Sequence, residues 1–420
     1  MNYAKEIVQK LHNKENIFLT GGAGVGKTTL TRQIIEEFEN DAKKVAKLAS
    51  TGMAATLIGG QTLHSFFDLG LASDMAELEK NAKLEIQKKV KKLISSMSLI
   101  VIDEISMVSE SLFLYDSLRL RQAGFSGSLL VVGDFLKLPP VVRGYKEVKF
   151  AFESDAWERF LFLKIELTHI YRTDDMRFIE LLNSVRFGYV DESVHNHLNE
   201  FIKPLPADLN HFTFLFGKNI SAQRHNRVQL AFIESELITK EAQIVRHDKN
   251  AKESEIERFM QDARIEKTLE LKIGAPVLFT RNSWNYFNGE RGEIVKIDAN
   301  HIYVQKSDAK VVKLEAVAQS KQVWREKSID GQKEMLEESL FSVYQYPIKL
   351  AFAITIHKSQ GMSIENLIIE TNEIFAPSQF YVALSRSSNP KNLTLIAPRK
   401  QWYALAYVNA TAMAFVKNEY

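Results

Sequence analysis

Cysteine is missing from all 420 residues. Its absence excludes disulfide staples, thiolate catalysis and cysteine-ligated zinc, and it suits a protein that works inside the cell. Long apolar runs are missing too: nothing approaches the roughly 20 consecutive residues of a bilayer span, so no membrane association is expected. The first twenty residues carry Lys5, Glu6, Lys10, Lys14 and Glu15 among their apolar positions. That is neither a secretory core nor an acid-free transit peptide, and the expected location is intracellular, cytoplasmic in a prokaryote. An excess of one charge is also lacking, with 54 Lys and Arg against 52 Asp and Glu, a net +2. Bulk attraction to a polyanion is thereby excluded, and any nucleic-acid site must be local. No internal repeat or low-complexity segment occurs.

What is present is an ordinary globular balance, 45% apolar and 25% charged, at a length that suits two or three domains. Short apolar runs at 17–19, 45–49, 99–102, 129–132 and 161–167 alternate with amphipathic or loop patterns such as 30–38, as buried parallel strands require. The first 180 or so residues therefore read as a doubly wound α/β domain. Residues 76–94 read as a helix whose Lys88, Lys89, Lys91 and Lys92 form a solvated face, with a DNA-contacting insertion as the alternative. The pattern restarts after Gly188, with strands expected at 212–216 and 275–280 and charged helices between them up to about 270. From Gly292 to Leu314 strict alternation around Asp298-Ala299-Asn300 marks a hairpin and suggests a small β-barrel inserted in a second α/β domain. Strands at 367–370 and 393–396 complete that domain.

Gly21 to Thr28 reads G-x-x-x-x-G-K-T between an expected strand and an expected helix, the context that makes such a loop a phosphate cradle. Backbone N–H groups of Gly22, Ala23, Gly24, Val25, Gly26, Lys27, Thr28 and Thr29 would close on the phosphates at the helix N-terminus. Lys27 would reach the β- and γ-phosphates and the Thr28 hydroxyl would ligate Mg2+. Asp103-Glu104 ends an apolar strand, so its carboxylates should emerge at the carboxyl edge of the sheet, where such folds hold ligands. Asp103 suits the metal and Glu104 suits proton abstraction from the attacking water. An acidic pair after a strand is by itself more often a cap or a solvated turn; beside the cradle the catalytic reading prevails.

Read in order, the blocks GGAGVGKTT at Gly21, STGMAATLIGGQTLHSFF at Ser50, IDEISMVSESLF at Ile102, GDFLKLPPV at Gly133, LTHIYRTDD at Leu167, IGAPVLFTRN at Ile273, NGERGEIV at Asn288, AITIHKSQGMSIE at Ala353 and YVALSRSSN at Tyr381 resemble the superfamily-one helicases that move 5′ to 3′, and closely the PIF (petite integration frequency) helicase family, relatives of RecD. The resemblance spans nearly the whole chain. It implies an α/β fold of two RecA-like P-loop domains, 1–180 and 181–420, with ATP between them. It also implies a small wedge insertion at about 67–96 in the first domain and a Src-homology-three-like β-barrel at about 290–345 in the second. Arg172 and Arg386 are then expected at the γ-phosphate, where such a charge can be worth roughly 10³ to 10⁵ in rate, and Gly361 at the nucleotide. Single-stranded DNA, or its junction with a duplex, is expected against Thr62, His64 and Phe66 and against Thr355, His357, Lys358 and Ser359, with G-quadruplexes and DNA–RNA hybrids as further substrates and a monomer as the working unit. Taken without the motifs, the two histidines would be structural and Phe66 a core residue.

Three departures from the family pattern stand out. Lys137 replaces the usual glutamine of the third block, putting a cation where an amide would sense the γ-phosphate. Thr173 replaces a second glutamine after Arg172. The amino-terminal glutamine that usually reads adenine would fall near Ala4, with Gln9 the nearest glutamine. The expected function is an ATP-dependent 5′-to-3′ DNA helicase of the kind used in repair and recombination. The alternatives are a DNA-binding ATP switch with weak hydrolysis and a P-loop ATPase acting on protein.

Overall fold

The computed structural model describes residues 3–50, 54–55, 58–69, 86–140, 149–206, 209–249, 251–263, 265–281, 283–329 and 332–418. The chain opens with α1 (Tyr3–His12), β1 (Ile17–Gly21), α2 (Lys27–Asn40), β2 (Val45–Ala49), β3 (Gln61–Thr62), α3 (Leu63–Phe66), α4 (Lys88–Ser95), β4 (Leu99–Asp103), α5 (Glu110–Ala123), β5 (Ser128–Val132), α6 (Asp155–Arg159) and β6 (Leu163–Leu167). The six strands form one parallel sheet in the order β3-β2-β4-β5-β1-β6. Every residue of β1, β4 and β5 is buried, which is why these strands read as unbroken apolar runs: helices cover both faces. On α2, Leu30, Ile34, Ile35 and Phe38 recur at helical spacing and bury one face. Parallel strands all end at the same edge, so the segments after β1, β4 and β5 meet there.

Of the expected helix at 76–94, only the far part is described, as α4; residues 70–85 lie outside the described residues. The same holds for most of the expected wedge, although Phe67 and Leu69 at its start are buried in the core of the first sheet.

The chain continues with α7 (Met176–Arg186), α8 (Glu192–Glu200), β7 (Thr213–Phe216), α9 (Asn219–Phe232), β8 (Ile238–Glu241), β9 (Gln243–Arg246), α10 (Glu253–Asp262), β10 (Thr268–Leu271), β11 (Pro276–Phe279), β12 (Arg291–Ile297), β13 (Ile302–Lys306), β14 (Val311–Leu314), β15 (Val317–Ile329), β16 (Gln332–Gln345), β17 (Ile348–Leu350), β18 (Ala353–Thr355), β19 (Leu367–Ile369), α11 (Gln379–Leu384), β20 (Leu393–Leu395), α12 (Trp402–Leu405) and α13 (Ala410–Val416). A second parallel sheet runs β18-β7-β19-β20. Between β7 and β18 the chain leaves to build an antiparallel sheet, β14-β13-β12-β11-β17, and a long hairpin of β15 and β16 that takes β9 as a third strand. The expected hairpin around Asp298 is β12–β13, with Asp298 Oδ1 accepting from the amides of Asn300 and His301. The insert consists of this five-stranded sheet, the β8–β10 pair, whose Leu269 and Leu271 share the sheet's core, and the hairpin. The stretch read as charged helices up to about residue 270 also contains β8, β9 and β10. They escape a reading of the sequence because their partners β10, β16 and β8 lie far along the chain.

The last helix, α13, returns to the first sheet. Phe415 stacks on Phe152 at 4.0 Å and 10° and also meets Phe18, Phe135 and Trp157. A separate core joins the second sheet to the first: Ala23 and Leu138 pack in one cluster with Phe178, Phe380, Tyr381 and Leu384. The two sheets therefore meet at the glycine-rich loop itself.

Candidate active site

Gly24 and Gly26 adopt φ of 80° and 83°, a region that disfavours side chains. A Cβ on Gly24 would sit 2.9 Å from the Cβ of Arg172. Gly26 is the left-handed cap from which α2 starts at Lys27, so the first amides of α2 have no partner within the helix and face the sheet edge. Lys27 is buried, and its Nζ donates to the carbonyls of Gly21 (2.6 Å) and Gly22 (2.7 Å). Burial, reinforced by the charge of Lys137, pushes its pKa down to about 7. Lys137 thus stands beside the cradle lysine, as its place in the third block implies.

At the end of β4, Asp103 Oδ1 accepts from the Glu104 amide at 2.8 Å. Burial and the neighbouring Glu104 raise the Asp103 pKa, while Lys137 and Lys27 oppose the rise. Glu104 holds φ 52° and ψ 49°, a costly conformation for a side chain with a Cβ. Its Oε2 is buried without a hydrogen-bond partner among the described residues. Two crowded carboxylates, one with an orphaned oxygen, suit a cation. Among the described residues no group of three or more His, Asp or Glu could hold a metal ion, but magnesium takes only one or two carboxylates when phosphates and water complete its shell. Asp103 supplies such a carboxylate, and Thr28 stands in the first turn of α2.

Arg172 and Arg386 come together, but along the second sheet's segments. Arg172 Nε donates to Ser363 Oγ at 2.9 Å and its Nη1 to the Ser385 carbonyl. Arg386 Nε donates to the Val382 carbonyl (3.0 Å), and its terminal nitrogens donate to the carbonyls of Ser359 (3.2 Å) and Met362 (3.3 Å) and to Ser385 Oγ (2.9 Å). Burial lowers both pKa values, Arg172 to about 10 and Arg386, which also feels Arg172, to about 9. Gly361, at φ 79°, lies in the same turn. Thr173 is buried and accepts from the Asp175 amide at 3.3 Å.

The expected DNA-facing residues divide. Thr62 caps α3, accepting from the Ser65 amide, with His64 half-buried beside it. Phe66 is 2% exposed, T-shaped against Phe67 in the first core, which takes its ring out of reach of a base. Thr355 and Ser359 are buried, their hydroxyls bonded within the turn to the Lys358 amide and the Ile356 carbonyl. His357 stacks near Phe375 at 6.4 Å, and Lys358 is half-buried.

Three residues at the cradle went unmarked in the sequence. Asp134, wholly buried, receives Arg186 in two bonds of 3.0 Å. Burial opposes its ionisation, yet the guanidinium holds its carboxyl below the usual range. Tyr381, from α11, accepts a hydrogen bond from the Ala23 amide at 2.8 Å. Asp134 and Tyr381 sit inside recognised blocks, which is the signal available; nothing local distinguishes Arg186.

With this geometry in hand, comparison with known proteins is specific. Residues 2–196 match the model of a PIF1-like helicase. An ATP-dependent DNA helicase Pif1 of Campylobacter jejuni is 38% identical over 420 aligned residues, covering 96% of this chain and 93% of the relative. The chain belongs to the PIF1-like helicase family. A second relative in that family, the ATP-dependent DNA helicase Pif1 of Bdellovibrio bacteriovorus, is 36% identical and covers 92% of this chain and 85% of its own length. Among solved members, Bacteroides sp Pif1 in complex with ADP-AlF4 superposes with a TM-score of 0.84 at 27% identity, covering 100% of this chain and 96% of that one. The Bacteroides Pif1 complex with ADP-AlF3 and single-stranded DNA superposes with a TM-score of 0.67 at 27% identity, covering 100% and 97%.

Proposed function

We propose that the chain is an ATP-dependent DNA helicase that moves 5′ to 3′ on single-stranded DNA and opens duplexes at junctions. The observation that carries this reading is the seam. Lys27, Thr28, Asp103 and Glu104 lie at the carboxyl edge of the first sheet, where Tyr381 of the second unit accepts from the Ala23 amide and Arg386 feels the charge of Glu104. A hydrolysis site shared between two bodies changes their relative position with nucleotide state, the arrangement a stepping motor needs.

In this mechanism the cradle amides and Lys27 bind the phosphates, and Glu104 takes the proton of the attacking water. Thr28 and Asp103 would hold magnesium, which would supply positive charge at the phosphates. Arg172 and Arg386 stabilise the charge that develops in the transition state, exchanging Ser363, Ser385 and the turn carbonyls for phosphate oxygens. Residues 1–180 and 181–420 act as the two moving units. Thr62 and His64 on one unit and His357 and Lys358 on the other hold the phosphate backbone, with Thr355 and Ser359 shaping the turn that presents them. Base recognition is weak because backbone contact and stacking carry no sequence code. G-quadruplexes, DNA–RNA hybrids and a monomeric working state remain part of the proposal. Lys137 favours one further reading, a DNA-binding ATP switch with slow hydrolysis, because a cation beside Lys27 cannot orient water as an amide does.

Steady-state ATP hydrolysis with and without a single-stranded oligonucleotide, with Glu104→Gln as blank, tests the proposal. Strong stimulation that vanishes in the variant supports the motor. Flat, weak hydrolysis alongside tight DNA binding supports the switch.

A further inference from the structure

Tyr381 is 3% exposed, yet its hydroxyl leaves the core of the second unit and enters the phosphate cradle of the first. There it accepts from the Ala23 amide at 2.8 Å, and a Cβ on Gly22 would lie only 3.3 Å from it. A phenol oxygen can accept one hydrogen bond and donate another. Among the described residues no acceptor takes the Tyr381 proton, although the hydroxyl is enclosed. Burial, aided by the nearby Asp134 carboxylate, pushes its pKa up to about 12, so the group stays neutral and keeps that proton.

The surrounding charges say what the proton is for. Lys27, Lys137, Arg186 and Arg386 all lie close enough to perturb ionisation of their neighbours at the cradle. Arg186 is paired with the buried carboxylate of Asp134, while Lys27, Lys137 and Arg386 share the nearby Asp103 and Glu104. A further cation here would add like-charge repulsion, whereas a neutral O–H adds a donor without it. An enclosed donor beside clustered cations and cradle amides suits a phosphate oxygen.

We infer that Tyr381 is a substrate-sensing residue whose hydroxyl accepts from Ala23 and donates to the terminal phosphate of the nucleotide, so that the second unit reads whether that phosphate is present. The inference rests on the proposed ATPase reading and names a residue that the cleft arginines do not replace. Because the hydroxyl belongs to α11, losing the terminal phosphate removes one of its two bonds and loosens the seam.

The test is Tyr381→Phe, which keeps the ring in its core position and deletes only the hydroxyl. Affinities for fluorescent ATP and ADP analogues would be measured side by side with magnesium, together with DNA-stimulated turnover. A hydrogen bond to a charged group supports an expected loss of about tenfold in ATP affinity with ADP affinity unchanged, so the preference for ATP over ADP collapses while ADP binding certifies the fold. Equal losses for both nucleotides, or no change in either, overturn the inference. Failure of the wild-type protein to bind or hydrolyse ATP overturns instead the reading on which it rests.

Discussion

At the scale of single residues, Lys27 and Glu104 lead to the most direct expectations. Lys27→Ala and Glu104→Gln should each abolish turnover while DNA binding, measured by anisotropy of a labelled oligonucleotide, changes little; near-normal turnover in either would remove the catalytic assignment. Lys27 also makes ATP binding depend on pH. Its ammonium is destabilised in the cradle, with a pKa lowered from 10.5 to about 7, and neighbouring phosphates restore it. ATP affinity should therefore be level below about pH 7 and fall above it, by up to about tenfold per pH unit, with proton uptake on binding near pH 8 seen by calorimetry in buffers of different ionisation heat. For folding itself the sign is opposite to that of a paired lysine: the cost of burying the charge is present in full below pH 7 and is relieved as the pH rises from 7 toward 10.5. Base selectivity is a third matter for single residues. Ala4 lines a cavity of about 400 Å3 beside the loop, with Tyr3, Thr29, Gln33, His169 and Tyr171. No amide stands at residue 4, so GTP should support hydrolysis better than in a relative with glutamine there; a steep ATP preference in competition would argue that another wall residue, Gln33 first, reads the base.

Among the elements, α13 is the one whose sequence least announces its place. Its short run of small and apolar residues has no motif, yet Phe415 seats against Phe152 and Phe135, directly behind β1 and the third block, and Lys164 Nζ donates to the Val416 carbonyl at 3.2 Å. Removing a half-buried aromatic from such a cluster should cost about 2 to 3 kcal/mol. Phe415→Ala is thus expected to lower the melting temperature by several degrees while leaving the ATP cradle chemically intact; an unchanged melt would mean that α13 adds no stability. β9 gives the complementary lesson. Its four residues pair with the far half of β16, nearly a hundred positions later, and a strand stabilised by so distant a partner carries little local signal.

For the whole molecule, the two units are bonded at the seam by the Asp134–Arg186 pair and by Arg172, which donates to Ser363 and Ser385. Arg386→Ala should lower kcat more than it raises KM, because its charge acts mainly in the transition state; equal effects on both would make it a binding residue. Asp134→Asn leaves the Arg186 guanidinium buried without its countercharge and should destabilise the closed form by about 3 to 5 kcal/mol, read as earlier unfolding and weaker ATP affinity together. The chain by itself determined the parallel sheets, the cradle, the acidic pair and the family, because each is written in contiguous residues whose spacing is set by local geometry: apolar runs for buried strands, glycines for a tight loop, carboxylates at a strand end. Only the tertiary structure decided that Phe66 is core, that β8 and β10 pair beside the insert's five-stranded sheet, that Arg172 and Arg386 both bond Ser385, and that Tyr381 and Arg186 meet the glycine-rich loop from the other unit. Those facts depend on burial and hydrogen bonds between residues as far apart as Ala23 and Tyr381, and a contact across such a separation is fixed by how whole elements pack.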